Sequence, residues 1–170
     1  MAGDELWDLT DESGAAIGRT HRRADPVPAG LFHVVASVCV VRGDGLVLMS
    51  RRAAIKDWPL SWELPAGSIL AGESSAEGAS RELAEEVGVR ILPASLVPVG
   101  RVREESALFD LYVARADGTP AITIDPEEVC ESAWVPLEQL FARAARNEMA
   151  GPWVSRLDRL GDTLRAAVRV

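Results

Sequence analysis

The chain has 170 residues and a formal net charge of −8, with 18 Lys and Arg against 26 Asp and Glu. Its length suits one α/β domain over 1–170, with 1–30 as an N-terminal hairpin extension and 136–170 as C-terminal helices. Hydrophobic residues at 48% and charged residues at 26% exclude wholesale disorder. The acidic surplus excludes a surface built to hold nucleic acid through its phosphates. Small phosphate compounds remain open, because a bound divalent cation reverses the local sign.

Residues 5–10 alternate like an edge strand, Asp11-Glu-Ser-Gly14 offers a turn, and Ala16 to His21 returns as the second arm of a hairpin. Pro26, Pro28 and Gly30 mark a connecting loop. Leu31 to Val41 is apolar and β-branched, which predicts a central strand covered on both faces. Arg42-Gly-Asp-Gly45 turns the chain into a second strand, Leu46 to Ser50, ending at Arg51-Arg52. Ala53 to Gly72 is rich in Trp, Pro and Gly and reads as irregular.

Ser74-Ser-Ala-Glu77 has the form of a capping box, and Gly88 suits a helix C-terminus, so a helix is predicted between them. Ile91 to Val102 and Ala107 to Ala116 read as strands, and Ala133-Trp-Val135 as a short one. Leu137 to Met149 and Val154 to Val168 read as amphipathic helices, the second weakened by Gly161. Packing or a homodimer surface is the use expected of both. Cys39 and Cys130 are too few and too far apart for a disulfide or zinc framework, so two buried free thiols are expected. The acidic N-terminus lacks a secretion signal, and no apolar run reaches membrane-spanning length. A cytoplasmic protein with no membrane partner is expected.

The helix from Ser75 carries the chemistry. With Glu82 set at zero and about 100° per residue, Glu85 falls near 300° and Glu86 near 40°. Ala76, Ala79, Leu83 and Val87 fall between about 60° and 140°, a core-facing stripe. Clustered carboxylates on the neighbouring face repel one another, and a hard cation such as Mg²⁺ or Mn²⁺ would relieve them. Gly78, near 320°, would leave room there for a metal with its waters. A bare Glu-x-x-Glu-Glu reads as a solvated acidic face.

The wider pattern overrides that reading. Gly67, Glu73 and Arg81-Glu-Leu-Ala-Glu-Glu-Val-Gly-Val89 match every specified position of a known motif. The stretch resembles the Nudix box of the Nudix hydrolase superfamily. The resemblance implies an α/β/α sandwich with a mixed sheet, in which the box is a loop–helix–loop. It implies hydrolysis of a diphosphate bond, typically in a nucleoside diphosphate derivative, with divalent cations. By position, Glu85, Glu86 and the Ala66 carbonyl look like metal ligands. Glu82 looks like a further ligand or the base, Arg81 would orient it, and Glu73 would brace the loop. Glu128, with Glu127 and Glu131 as competitors, resembles the additional acidic residue that many members take from a later loop. Arg51 or Arg52 is expected to grip a substrate phosphate and Trp58 to stack on the substrate.

A second resemblance covers the N-terminal half. Glu5-Leu-Trp-Asp-Leu9, Gly18-Arg-Thr-His-Arg-Arg23, His33 and Arg51-Arg52 followed by Lys56-Asp-Trp-Pro59 look like the branch of isopentenyl-diphosphate isomerase and its hydrolase relatives. Those isomerases need a Cys and a metal-binding His at positions that are Ala66 and Ser68 here. Their second catalytic carboxylate falls near Ala107, with Glu104 and Glu105 close by. The complete carboxylate set favours hydrolysis over isomerisation, and over a non-catalytic nucleotide sensor.

Overall fold

Successive side chains of a strand point to opposite faces, so Val38 to Val41, four apolar residues, needs a layer on each side. The computed structural model describes residues 4–169 and provides both layers. Its elements are β1 (Leu6–Thr10), β2 (Ala16–Arg22), β3 (His33–Val41), β4 (Leu46–Arg52), β5 (Trp62–Glu63) and β6 (Ala66–Ser68). Then come α1 (Ser75–Val87), β7 (Val97–Arg103), β8 (Ala107–Arg115), β9 (Val129–Pro136), α2 (Leu137–Ala145) and α3 (Trp153–Arg169).

β3 pairs in parallel with β8, from His33 opposite Ala107 to Val41 opposite Arg115. β7 closes that side of the sheet, antiparallel to β8. On the other side β3 and β4 pair only at their hairpin end, Val41 with Val47, and then diverge. The short strands fill the fork, β6 against β3 and β5 against β4, while β9 runs along the far edge of β4. Ala36, Val38 and Val40 pack on Ala79, Leu83 and Val87 of α1. Cys39 and Val41 pack on the opposite layer, where α2 and α3 supply Leu140, Trp153, Leu157, Leu160 and Leu164. This is the expected α/β/α sandwich on a mixed sheet.

Local chemistry fixes α1. Ser74 Oγ accepts from Glu77 N at 3.3 Å, and Glu77 returns the contact to Ser74 N at 2.8 Å. Gly88 ends the helix at φ 75°, a conformation glycine adopts without strain. The β1–β2 hairpin forms as expected and docks on the box loop, where Gly72 N donates to Asp8 at 2.8 Å.

Several expectations need correction. The segment read as irregular contains β5 and β6, strands too short for a periodic pattern. Residues 91–96 are not strand: Pro93, without an N–H, opens a 3₁₀ turn over Pro93–Ser95, and β7 starts at Val97. β9 spans eight residues, not three. The first C-terminal helix stops at Ala145, before the left-handed Asn147 at φ 61°. Gly161 admits Phe141, whose ring would stand 2.8 Å from a Cβ at that position. Cys39 is buried, but Cys130 is exposed on β9, with Sγ 3.3 Å from the Arg52 carbonyl oxygen. Among the described residues no helix is long and apolar enough to cross a membrane.

Candidate active site

A cavity of about 660 Å³ opens where β3 and β4 part. Residues of α1, β6, the Arg52–Trp58 segment and Glu128 line it. Trp7 and Arg23 of the hairpin, and Trp153 and Arg156 of α3, complete its walls. Nine carboxylates stand there against five fixed cations, a balance of −4 when His33 is neutral.

The box residues build one end. Arg81 donates to both Glu73 oxygens, at 2.8 and 3.0 Å, and to the Ser68 carbonyl at 3.0 Å. Glu73 also accepts from Leu70 N at 3.0 Å, so it ties the loop to the helix. Burial opposes its ionisation, but the Arg81 and Leu70 bonds prevail and hold its pKa below the usual range. Arg81 Nη1 reaches Glu82 and Glu85 at 2.9 Å each. Glu82 is largely buried, which raises its pKa, while Glu85 stays exposed at the rim. A Cβ on Gly67 would overlap the Glu82 carboxylate, so a larger residue there would displace that side chain.

Glu86 is 5% exposed, and Ala66 N donates to it at 3.3 Å. Burial, then the charges of Glu63, Glu82 and Glu128, push its pKa well above the carboxylate range. The donors are all hard oxygens in a like-charge cluster, which fits a hard divalent cation. As the side chains stand, no three His, Cys, Asp or Glu among the described residues converge on a metal position, and Arg81 holds Glu82 and Glu85.

The remaining candidates divide. Glu128 lines the cavity paired with Lys56, whereas Glu131 pairs with Arg51 at 3.1 Å and Glu127 is exposed outside it. Arg52 lines the cavity, 2.6 Å from Glu63, but Arg51 does not. Arg51 turns to Glu131 and to the Leu60 carbonyl at 2.8 Å, because neighbouring residues on a strand face opposite ways. Trp58 stands at the rim, 50% exposed, with φ 50°. Gly78 meets none of Glu82, Glu85 and Glu86: a Cβ there would stand 2.5 Å from Ile69 Cδ1 and 3.0 Å from Glu73 Oε2, so it serves loop packing.

Sequence reasoning missed four residues. Glu63 is buried with a raised pKa, and it lay inside a segment without periodicity. Lys56 belongs to the same segment. Trp153 and Arg156 lie on a helix expected only to pack. His33, part of the resemblance to the isomerase branch, stacks on Trp7 with ring centroids 4.0 Å apart, and burial lowers its pKa to about 4.

The NUDIX domain family model matches residues 31–157. The chain is 34% identical over 149 residues to an uncharacterized Nudix hydrolase of Listeria monocytogenes, covering 85% of this chain and 87% of that protein. It is 32% identical over a 173-residue alignment to an isopentenyl-diphosphate Delta-isomerase of Nocardia farcinica, covering 91% and 93%. The crystal structure of Deinococcus radiodurans DR0079 shares its fold, with TM-score 0.74, 24% identity and coverage of 92% and 99%. The chain therefore belongs to the Nudix family and is a Nudix hydrolase. Enzymes of this family hydrolyse diphosphate bonds of small molecules and generally need a divalent metal.

Proposed function

We propose that residues 1–170 form one Nudix unit that cleaves the diphosphate of a nucleoside diphosphate derivative, using Mg²⁺ or Mn²⁺. One observation carries this reading. The box carboxylates and Glu128 share one end of the cavity with Arg52 and Lys56, two cations placed to meet phosphate. Glu82, Glu85, Glu86 and the Ala66 carbonyl, with Glu128 opposite, are the residues that would hold the metal. When bound, the metal draws charge from the diphosphate and lowers the pKa of its water. Arg81 orients Glu82, which is placed to take the proton of the attacking water. Binding metal requires Glu82 and Glu85 to share Arg81 with the ion or release it. Arg52, held by Glu63 and by the Asp57 carbonyl at 2.6 Å, presents its guanidinium to a phosphate oxygen. Trp58 offers a ring to the organic part.

Isomerisation is disfavoured. Ala66 and Ser68 stand where the isomerases need Cys and His, and neither cysteine lines the cavity. Cys39 lies inside the sheet, with its pKa pushed up to about 12 by burial.

The test is incubation with Mg²⁺ or Mn²⁺ and a panel of nucleotide-linked and prenyl diphosphates, assayed for phosphate, pyrophosphate and isomer products. Hydrolysis that falls at least about a hundredfold in Glu86→Gln supports the proposal. Isomer formation, or binding of the panel without turnover, overturns it.

A further inference from the structure

The C-terminal helix brings one cation to the cavity that the proposed chemistry leaves unused. Arg156 is 7% exposed, and its Nε and Nη2 donate to the two oxygens of Glu104 at 2.6 and 2.9 Å. Its guanidinium carbon lies 3.8 Å from the Phe109 ring centroid and 5.5 Å from that of Trp153. The two rings meet edge to face at 80°. The side chain is thus fixed on one edge by a carboxylate and on one face by an aromatic ring. Nη1 has no partner among the described residues, yet it is not sealed from solvent, and the cavity is the opening that Arg156 lines.

We infer that Arg156 is a specificity-determining residue that donates from Nη1 to a neutral oxygen or ring-nitrogen acceptor on the organic part of the substrate. The inference rests on the hydrolase reading and narrows its substrate class. A phosphate is a poor occupant of this position. The Nε–Nη2 edge of the guanidinium is already filled, and Glu104 would repel a second anion at the neighbouring edge. A hydrocarbon chain is poorer still, since it would bury the remaining N–H groups without an acceptor. What remains is a sugar hydroxyl, a base carbonyl or a ring nitrogen. The surroundings agree: neutral His33 stacked on Trp7, and the Arg23–Glu5 pair at 2.7 Å, form a polar wall close by. Sites built around a hydrogen bond discriminate strongly against analogues that lack its partner. Orienting the donor beforehand also reduces the ordering that binding requires.

The experiment compares ADP-ribose with isopentenyl diphosphate as substrates of the metal-loaded enzyme and of Arg156→Met, Arg156→Lys and Glu104→Gln. Wild-type enzyme is expected to prefer ADP-ribose. The preference, as a ratio of kcat/KM values, should fall about ten- to a hundredfold in Arg156→Met. Arg156→Lys should restore it only in part, and Glu104→Gln, which keeps the guanidinium in place through a neutral partner, should lower it less. Equal losses on both substrates, or a wild-type preference for isopentenyl diphosphate, would overturn the inference. Absence of turnover on both substrates and across the wider panel sinks the hydrolase reading instead. Arg156 is then read from tryptophan quenching by ADP-ribose, where wild type and Arg156→Lys binding alike overturns its role. Arg156→Lys retains the charge and much of the packing, so the comparison survives if the Met variant fails to fold.

Discussion

Arg51 and Arg52 are adjacent in sequence and have opposite environments. Arg52 sits in the cavity against buried Glu63, and Arg51 lies outside it, bound to Glu131 and to the carbonyl of Leu60. Arg52→Ala is expected to raise KM for diphosphates at least about tenfold, since it removes a phosphate donor and leaves Glu63 buried without its partner. Arg51→Ala should stay within about twofold of wild type, because an exposed ion pair contributes little. Steady-state kinetics on the two variants decides, and equal losses would refute the assignment. The pair could not be separated from the sequence alone. A register shift of one residue exchanges their positions, and that register is fixed by β5 and β9, neither of which is fully visible in the pattern. His33 gives a separate test. Its pKa is about 4 in the folded chain against an ordinary 6.5, because burial disfavours the cation. Below about pH 6.5 the unfolded chain binds a proton that the folded chain refuses, so stability falls until the pH reaches about 4. The loss is on the order of 2–3 kcal/mol, and chemical denaturation of His33→Phe across that window should show it reduced.

At the scale of elements, strong local signals proved readable and paired context did not. The capping box and Gly88 fix both ends of α1 within its own sequence, and the charge stripe marks the face that lines the cavity. β3 was legible from its β-branched, largely apolar run, whereas β5 and β6 satisfy backbone donors and acceptors that two diverging strands leave open. The face of α3 toward the cavity was hidden for another reason. Trp153 and Arg156 sit one turn apart, as in any amphipathic helix, and only packing on Phe109 gives them a shared site. Gly161 shows propensity yielding to packing. Read as a weak point, it is instead the place where α2 approaches α3 through Phe141. Gly161→Ala should therefore lower stability by about 1–3 kcal/mol, although alanine is the better helix former. A thermal melt that rises in the variant would count against this packing.

For the whole molecule, net charge and function are linked through the cavity. Its formal balance of −4 accounts for half of the chain's −8, concentrated in the proposed active site. Divalent cations should therefore stabilise the folded state measurably. At about a hundred times Kd the gain is about 2.7 kcal/mol, or roughly 5–10 °C in Tm for a domain of this size. Differential scanning fluorimetry with MgCl₂, against NaCl at equal ionic strength, separates site binding from screening. Glu86→Gln should lose most of the rise.

The parallel pairing of β3 with β8 has a consequence for how the enzyme comes into being. The two strands are partners residue for residue, yet β4, β5, β6, α1 and β7 all lie between them in the chain. Contacts this distant in sequence form late and slowly, after the entropy of a long loop has been given up. The cavity is bounded by the first residues of both strands, and α3, which follows its other walls in the chain, supplies the last. No nascent fragment ending before Trp153 encloses it. The acidic helix, its Glu82 and Glu85 answered within the helix by Arg81, is thus finished before the last wall of the cavity is made.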